Sequence, residues 1–523
     1  MIQRDPKYYT TGYTGDDPYK APFYLRSLIF DGPDGDFNTS LIKGFNRHIE
    51  GRDEFKSCRF FSDNIAGEKL PDKIVVINAS HDNLPTSHET ARIFQDYCRE
   101  KGWNIPGIVV NTREELLSEV EGNPSGVLVA SQCVDKNIYD VRTADELTSK
   151  GVVIVPGRIT APGSIFSDKN STYELLSDGG RHWTSVARYV KVGTQDKTVE
   201  DVVNGIFEAI DDLEKDTGDS TFFVKPHEGG GGLGGFRITK RGGKYIIPDL
   251  SKVSGNISDI HPTFMDFDFE NKNKLQELLW IYRLFSNDDK MESNYLWVDL
   301  PIEGADDRTA QEILKSYLKD TAEKRERKLA SMVLDKKEAE DKLIESIRIF
   351  EKKFKRRYTP LVNEHLDFGL WGLRAHYRLS RKGPKLETMY SRIFQMAFTP
   401  EGIGYLGSDN ISNKQTGDLE ILRLGPVNEI MVQSIGGEEA LFAALLKGAE
   451  ALAMLADLVP EEERNRIPLR LQLDLAAPSR RIGEGNADTA RGLCLASRWT
   501  EFVSNAREWL EDSLAYYAWK KER

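Results

Sequence analysis

From residue 73 onward the apolar positions fall into short blocks separated by longer amphipathic ones. KIVVINAS (Lys73–Ser80) is a strand-like run, and SHETARIFQDYCREKG (Ser87–Gly102) has helical spacing and stops at a glycine. GIVVN, TREELLSEVEG, GVLVAS and GVVIVP continue the alternation to about residue 160. Short β-branched runs alternating with helical stretches predict βαβ units and a parallel sheet. Residues 1–70, rich in Gly, Asp and aromatics, show no clear periodicity and read as an N-terminal extension.

Further on, SIFSDKNSTYELLSDGG (Ser164–Gly180) reads as a capped short helix with a Gly-Gly stop, and VEDVVNGIFEAIDDLEKDTG (Val199–Gly218) as an amphipathic helix. ARYVKVG between them is a candidate strand. Residues 308–357 contain no Gly or Pro and mix charges of both signs, which predicts one or two long solvent-laced helices. Interleaved acidic residues argue against a nucleic-acid arm there. Strand character returns in LWGLRAHYRLSRKGPKLETMYSRIFQMAF (Leu370–Phe398), two runs joined by a Lys-Gly-Pro turn. Gly436–Val459 is a helix apolar on most faces and therefore buried. IPLRLQLDLA (Ile467–Ala476) is a strand, PSRRIGEGN a turn with a short strand, and the last residues form a helix.

A chain of 523 residues exceeds one core and suggests several domains, at roughly 150 residues each. The net charge of -12 argues against sequence-independent nucleic-acid binding. Neither an apolar leader nor a membrane-length apolar run is found, so no membrane partner is expected and a cytoplasmic location is. Four scattered cysteines without a CxxC pair fit a reducing compartment. No HExxH, GxSxG or Cys–His arrangement stands out, and His227, His365 and His376 read as structural polar residues.

The densest chemical signal is TFFVKPHEGGGGLGGFRITK (Thr221–Lys240). Flanking strands exclude a flexible linker. Gly229, Gly231 and Gly234 satisfy GxGxxG formally, but Phe236–Thr239 reads as strand where the dinucleotide fingerprint needs a helix. A Walker loop would need Gly-Lys-Ser/Thr where this one has Gly-Gly-Phe. What remains is a strand bearing Lys225, a glycine loop and a returning strand, a layout suited to covering phosphates with backbone N–H groups.

This stretch resembles the Lys-Pro and glycine-loop segment of the ATP-grasp superfamily, and further pieces match in the family's order. SDKNSTYELLSDGG resembles its Asp-Lys helix, which implies Lys169 as a second ATP-contacting lysine. PLVNEHLDFGLWGLRAHYRL resembles the segment linking the two ATP-binding lobes, with Glu364 for the ribose; NYLWVDLPIEGADDR, with Asp299 or Glu303, is a rival. LRAHYRL and MYSRIF offer Arg374 and Arg392 where the family carries phosphate-meeting arginines. LQLDLAAPSRRIGEGN resembles its magnesium-binding end, with Asp474, Glu484 and Asn486. Two carboxylates and an amide oxygen are hard ligands suited to magnesium.

The resemblance implies a fold both α/β and α+β: a Rossmann-like pre-ATP-grasp domain, then a two-lobed ATP-grasp fold with a long helical insertion. The boundaries expected are an N-terminal extension over 1–70, the α/β domain over 71–162 and a first ATP-binding lobe over 163–300. The insertion follows over 301–358, and a second lobe with the magnesium site over 359–523. It implies ATP and Mg2+ as cofactors, with Lys169, Lys225, Gly230, Gly231, Gly232, Gly234 and Glu364 around the nucleotide and Arg374 and Arg392 as catalytic residues. The expected activity is ligation of a small-molecule carboxylate to an amine through an acyl phosphate. A kinase of a small molecule and a non-catalytic nucleotide-binding protein are the alternatives, and self-association is left open.

Overall fold

The computed structural model describes residues 9–10, 32–61, 69–77, 85–130, 138–161, 188–226, 234–247, 263–264, 272–286, 298–364, 368–394, 396–400, 402–405, 422–478, 494–499 and 506–523. The fold is a mixed α/β one with a parallel sheet, two six-stranded sheets and a small three-stranded sheet among these residues.

In the parallel sheet the strands lie in the order Gly107–Val110, Lys73–Ile77, Val127–Ala130, Val153–Val155. Alternate residues enter two different cores. Ile74, Val76 and Leu128 pack with Phe94 on one face, while Val75, Ile77 and Val129 pack with Leu116 and Leu147 on the other. Burial on both faces is why these strands read as unbroken apolar runs. Thr112 and Asp140 cap the flanking helices, accepting from the backbone N–H of Glu115 and Thr143.

The first six-stranded sheet is antiparallel between all neighbours. Its order is Val333–Leu334, Lys244–Ile246, Phe236–Arg241, Thr221–Pro226, Pro360–Glu364, Tyr189–Lys191. The helices Val199–Thr217 and Lys336–Phe354, both opened by capping boxes, cover one face. Their Val203, Ile206, Ile210, Leu343 and Phe350 bury Phe222, Val224, Phe236, Ile238 and Val362. The two helices within residues 301–358 pack against different cores. The Lys336–Phe354 helix is a wall of this first core, while Ala310, Leu314 and Tyr317 of the Asp307–Ser331 helix join the core that also holds Trp371, Leu373 and Tyr377. Their charges occupy the outer faces.

The second six-stranded sheet runs Tyr9–Thr10, Leu422–Gly425, Gly383–Phe394, Phe368–Ser380, Arg470–Pro478, Cys494–Trp499. Trp371, Leu373, Ala375, Tyr377 and Leu379 alternate inward against the buried Glu438–Asp457 helix. Tyr377 donates to Leu445 O at 3.0 Å, and its ring lies where a Cβ on Gly448 would stand, so glycine permits the close approach of helix and strand.

Residues 32–49, read as part of an N-terminal extension without clear periodicity, form a helix packed on this sheet. Asn46 exchanges two 2.9 Å hydrogen bonds with the Leu386 backbone, and Asn38 Nδ2 donates to Met389 O at 2.8 Å. At the other end of the chain the Ala506–Glu522 helix ties this lobe to the parallel domain. Trp509 packs on Phe94, and Tyr517 donates to Ser125 O at 2.7 Å.

Candidate functional site

Lys225 is at the end of the Thr221–Pro226 strand, and strand periodicity decides what it shares a face with. Phe222 and Val224 turn to the helices, so Thr221, Phe223 and Lys225 turn to the other face, where each is partly buried. The returning strand repeats this: Phe236 and Ile238 are core, Arg237 and Thr239 are not. Thr221 and Thr239 hydroxyls meet across the hairpin at 3.1 Å. Arg237 is the cross-strand neighbour of Phe223 and adds a second cation to the Lys225 face. Sequence reading passed over Arg237, although the alternation in FRIT carries the signal.

On the other side of the Lys225 strand lies Pro360–Glu364, with Leu361 opposite Lys225, Asn363 opposite Phe223 and Glu364 opposite Phe222. Asn363 therefore shares a face with Lys225, while Glu364 alternates to the opposite one. There Glu364 Oε1 accepts the Arg188 backbone N–H at 3.0 Å. Phe368, four residues beyond Glu364, opens the Phe368–Ser380 strand, so consecutive strands of the chain belong to the two sheets. The rival segment lies elsewhere: Asp299 and Glu303 are exposed in the connection between the Lys272–Ser286 and Asp307–Ser331 helices.

On the second sheet the register gathers three of the expected residues. Arg374 lies opposite Tyr390 on one side and Asp474 on the other, and Gly372 lies opposite Arg392. Directly paired positions share a face, with Cα atoms about 4.5–5.5 Å apart. Arg374, Arg392 and Asp474 thus occupy one face, opposite to the apolar face on the Glu438–Asp457 helix. The pairing with the Cys494–Trp499 strand shifts register between Asp474 and Leu475. A bulge of this kind locally bends a strand and re-aims the side chains beside it. His376, next along the same face, is buried and stacks on Tyr390 with centroids 5.6 Å apart, a packing role.

Gly234 ends the glycine loop with φ +77°, and a Cβ there would press on Pro226, Phe350 and Tyr358. The fully buried Tyr358 hydroxyl donates to the Gly234 carbonyl, anchoring the loop's exit to the lobe's core. Lys169, Gly230, Gly231, Gly232, Glu484 and Asn486 lie outside the described residues, as do His227 and His365. Among the described residues no group of three or more His, Cys, Asp or Glu could hold a metal ion, and Asp474 is the member of the expected magnesium set found there.

No protein-family model matches the chain, and no curated protein matches it. Solved structures similar to it include the D-alanine–D-alanine ligase of Bacillus anthracis complexed with ATP, at 10% identity and a TM-score of 0.42, covering 87% of this chain and 99% of that one. The N5-carboxyaminoimidazole synthetase of Staphylococcus aureus complexed with ADP is similar at 9% identity and a TM-score of 0.35, over 84% of this chain and 72% of that one. D-cycloserine synthetase is similar at 11% identity and a TM-score of 0.37, over 86% and 99%. At such TM-scores the likeness is one of outline, and the functional reading rests on this chain's own strands.

Proposed function

We propose that the chain is an ATP-dependent ligase that activates a small-molecule carboxylate and joins it to an amine, releasing ADP and phosphate. One observation carries the reading. The strand next to that of Lys225 precedes the strand of Arg374 in the chain, so the strand bearing Lys225 and the strand bearing Arg374, with Asp474 as its cross-strand neighbour, belong to sheets joined by consecutive strands. Cations on both faces suit a triphosphate and the charge that develops as its terminal phosphoryl group moves.

In this reading the substrate carboxylate oxygen bonds to the γ-phosphorus as the bond to the β,γ-bridging oxygen breaks, giving an acyl phosphate and ADP. The amine nitrogen then bonds to the acyl carbon, phosphate leaves, and the amine proton passes to water. Lys225 and Lys169 hold phosphate oxygens. Arg374 and Arg392 hold the acyl phosphate's charge, and Gly230, Gly231, Gly232 and Gly234 belong to the loop over the phosphates. Asp474, with Glu484 and Asn486, would hold Mg2+, which when bound neutralises phosphate charge. Glu364, whose Oε1 accepts the Arg188 backbone N–H, takes the ribose hydroxyls.

The test is a screen of carboxylates, amino acids and short peptides, singly and in carboxylate–amine pairs, for magnesium-dependent ADP release. The proposal expects free phosphate and an amide product that need both partners. A stable phosphorylated product from a single substrate would replace it with a kinase. Absence of magnesium-dependent ATP binding by calorimetry would remove the nucleotide site altogether.

A further inference from the structure

We infer that Asn363 reads the base of the bound nucleotide and that the site takes adenine and guanine alike. The inference rests on the nucleotide site proposed above and goes beyond it to base specificity.

Asn363 is 2% exposed, and neither Oδ1 nor Nδ2 has a hydrogen-bond partner among the described residues. A buried carboxamide left in this state costs about 1–3 kcal/mol for each unsatisfied group, so its retention asks for a ligand that supplies the missing bonds. Its surroundings say which kind. Its cross-strand neighbours are Phe223 on one side and Tyr189 on the other, both partly buried, and Lys225 follows on the same face beside Leu361. A flat heterocycle between aromatic rings, with its phosphates toward Lys225, matches this order of groups.

The carboxamide also sets what the site distinguishes. Adenine presents a donor at N6 beside an acceptor at N1, and guanine presents an acceptor at O6 beside a donor at N1. An amide carries one acceptor and two donors, so it pairs with either edge after a half-turn about its terminal bond. Oxygen and NH2 are nearly equal in size, and no described neighbour fixes which points where. The side chain therefore serves both purines. In this conformation the neighbouring side chains cover the amide, and the base enters as they part.

Calorimetry with non-hydrolysable ATP and GTP analogues and Mg2+, on the full chain, tests this. The wild type is expected to bind the two within about tenfold. Asn363→Asp, which only accepts, should shift the ratio toward GTP by at least tenfold, because guanine offers N–H groups where adenine N1 offers a lone pair. Asn363→Leu should weaken both by tenfold or more and raise the melting temperature of the nucleotide-free protein, since the unsatisfied amide is gone. That pairing of gained stability with lost affinity would not come from an amide with a merely structural role. A wild-type preference of a hundredfold or more, a ratio unmoved in Asn363→Asp, or an Asn363→Leu protein that binds both normally would each overturn the inference and leave the nucleotide site standing. A wild type that binds neither analogue would overturn both together.

Discussion

Arg374 and Arg378 occupy the same face of one strand, four residues apart, and their surroundings divide the sheet into two regions. Around Arg378 the charges close on one another. Its Nε meets Glu387 at 2.7 Å, and its guanidinium reaches Glu508 at 3.1 Å and Asp512 at 3.6 Å. Arg470, its cross-strand neighbour, meets Glu387 at 3.5 Å and Asp512 at 3.4 Å, with Arg470 and Glu387 each 4% exposed. Two arginines and three carboxylates thus pin the C-terminal helix to the sheet. Around Arg374 the neighbours are a tyrosine, an aspartate beside a register shift, and a second arginine one pair further on. A charged group inside a closed network holds a fold together. Arg374, beside a register shift, is the one proposed above to meet a ligand.

The largest expected effect tests the closed region. Arg470→Ala leaves Glu387 and Asp512 short of a cation in a dry site, and should cost about 3–5 kcal/mol of stability in urea unfolding. If unfolding hardly changes, the network is not what anchors the helix. Next comes Arg374→Ala, which should lower kcat/KM by about 10²–10³-fold and leave unfolding within about 1 kcal/mol of wild type. A protein as destabilised as the Arg470 variant would erase the contrast between the regions.

A pH measurement sharpens the comparison further. Burial raises the Asp512 carboxyl to about 6 against the pull of Arg470 and Arg378. Its folded value exceeds its unfolded value, so the native state holds the proton more tightly between them. The resulting stability is present at pH 4 and is lost as the pH rises through 6, about 2 kcal/mol in all. The stability of wild type minus Asp512→Asn should therefore fall by about that amount between pH 4 and pH 7, read from urea midpoints. A constant difference would mean that Asp512 titrates normally. The smallest effect belongs to the first lobe. Lys240 meets Asp211 at 2.6 Å and Glu214 as well, but both partners are well exposed. Lys240→Met should cost about 1 kcal/mol or less. A larger loss would show that exposure does not rank these clusters.

The parallel domain was legible because both faces of its strands are buried, which leaves contiguous apolar runs such as KIVVI. The Thr221–Lys240 hairpin was legible through its turn chemistry. The Gly32–Ile49 helix was not, because Gly32, Pro33 and Gly35 read as breakers, while its apolar positions Phe37, Leu41, Phe45 and Ile49 recur every four residues. That Asn363, and not Glu364, shares the face of Lys225 was not legible: adjacent residues on a strand face opposite ways, and only pairing with Phe222 and Phe223 says which is which. The closed network was equally invisible, since Arg378, Arg470 and Asp512 are far apart in sequence and nothing in their local patterns marks them as partners.

The first six-stranded sheet takes strands from residues 189–246 and from 333–364. Its centre is therefore a contact of high sequence separation, and during synthesis the strand of Lys225 waits for more than a hundred residues before its neighbour leaves the ribosome. Until then the Thr221–Pro226 strand has one hydrogen-bonding edge open, and Phe222 and Val224 lack the second of the two helices that cover them. A nascent chain stalled before residue 333 presents a sticky sheet edge, so this lobe is where chaperone dependence and aggregation of truncated forms should concentrate.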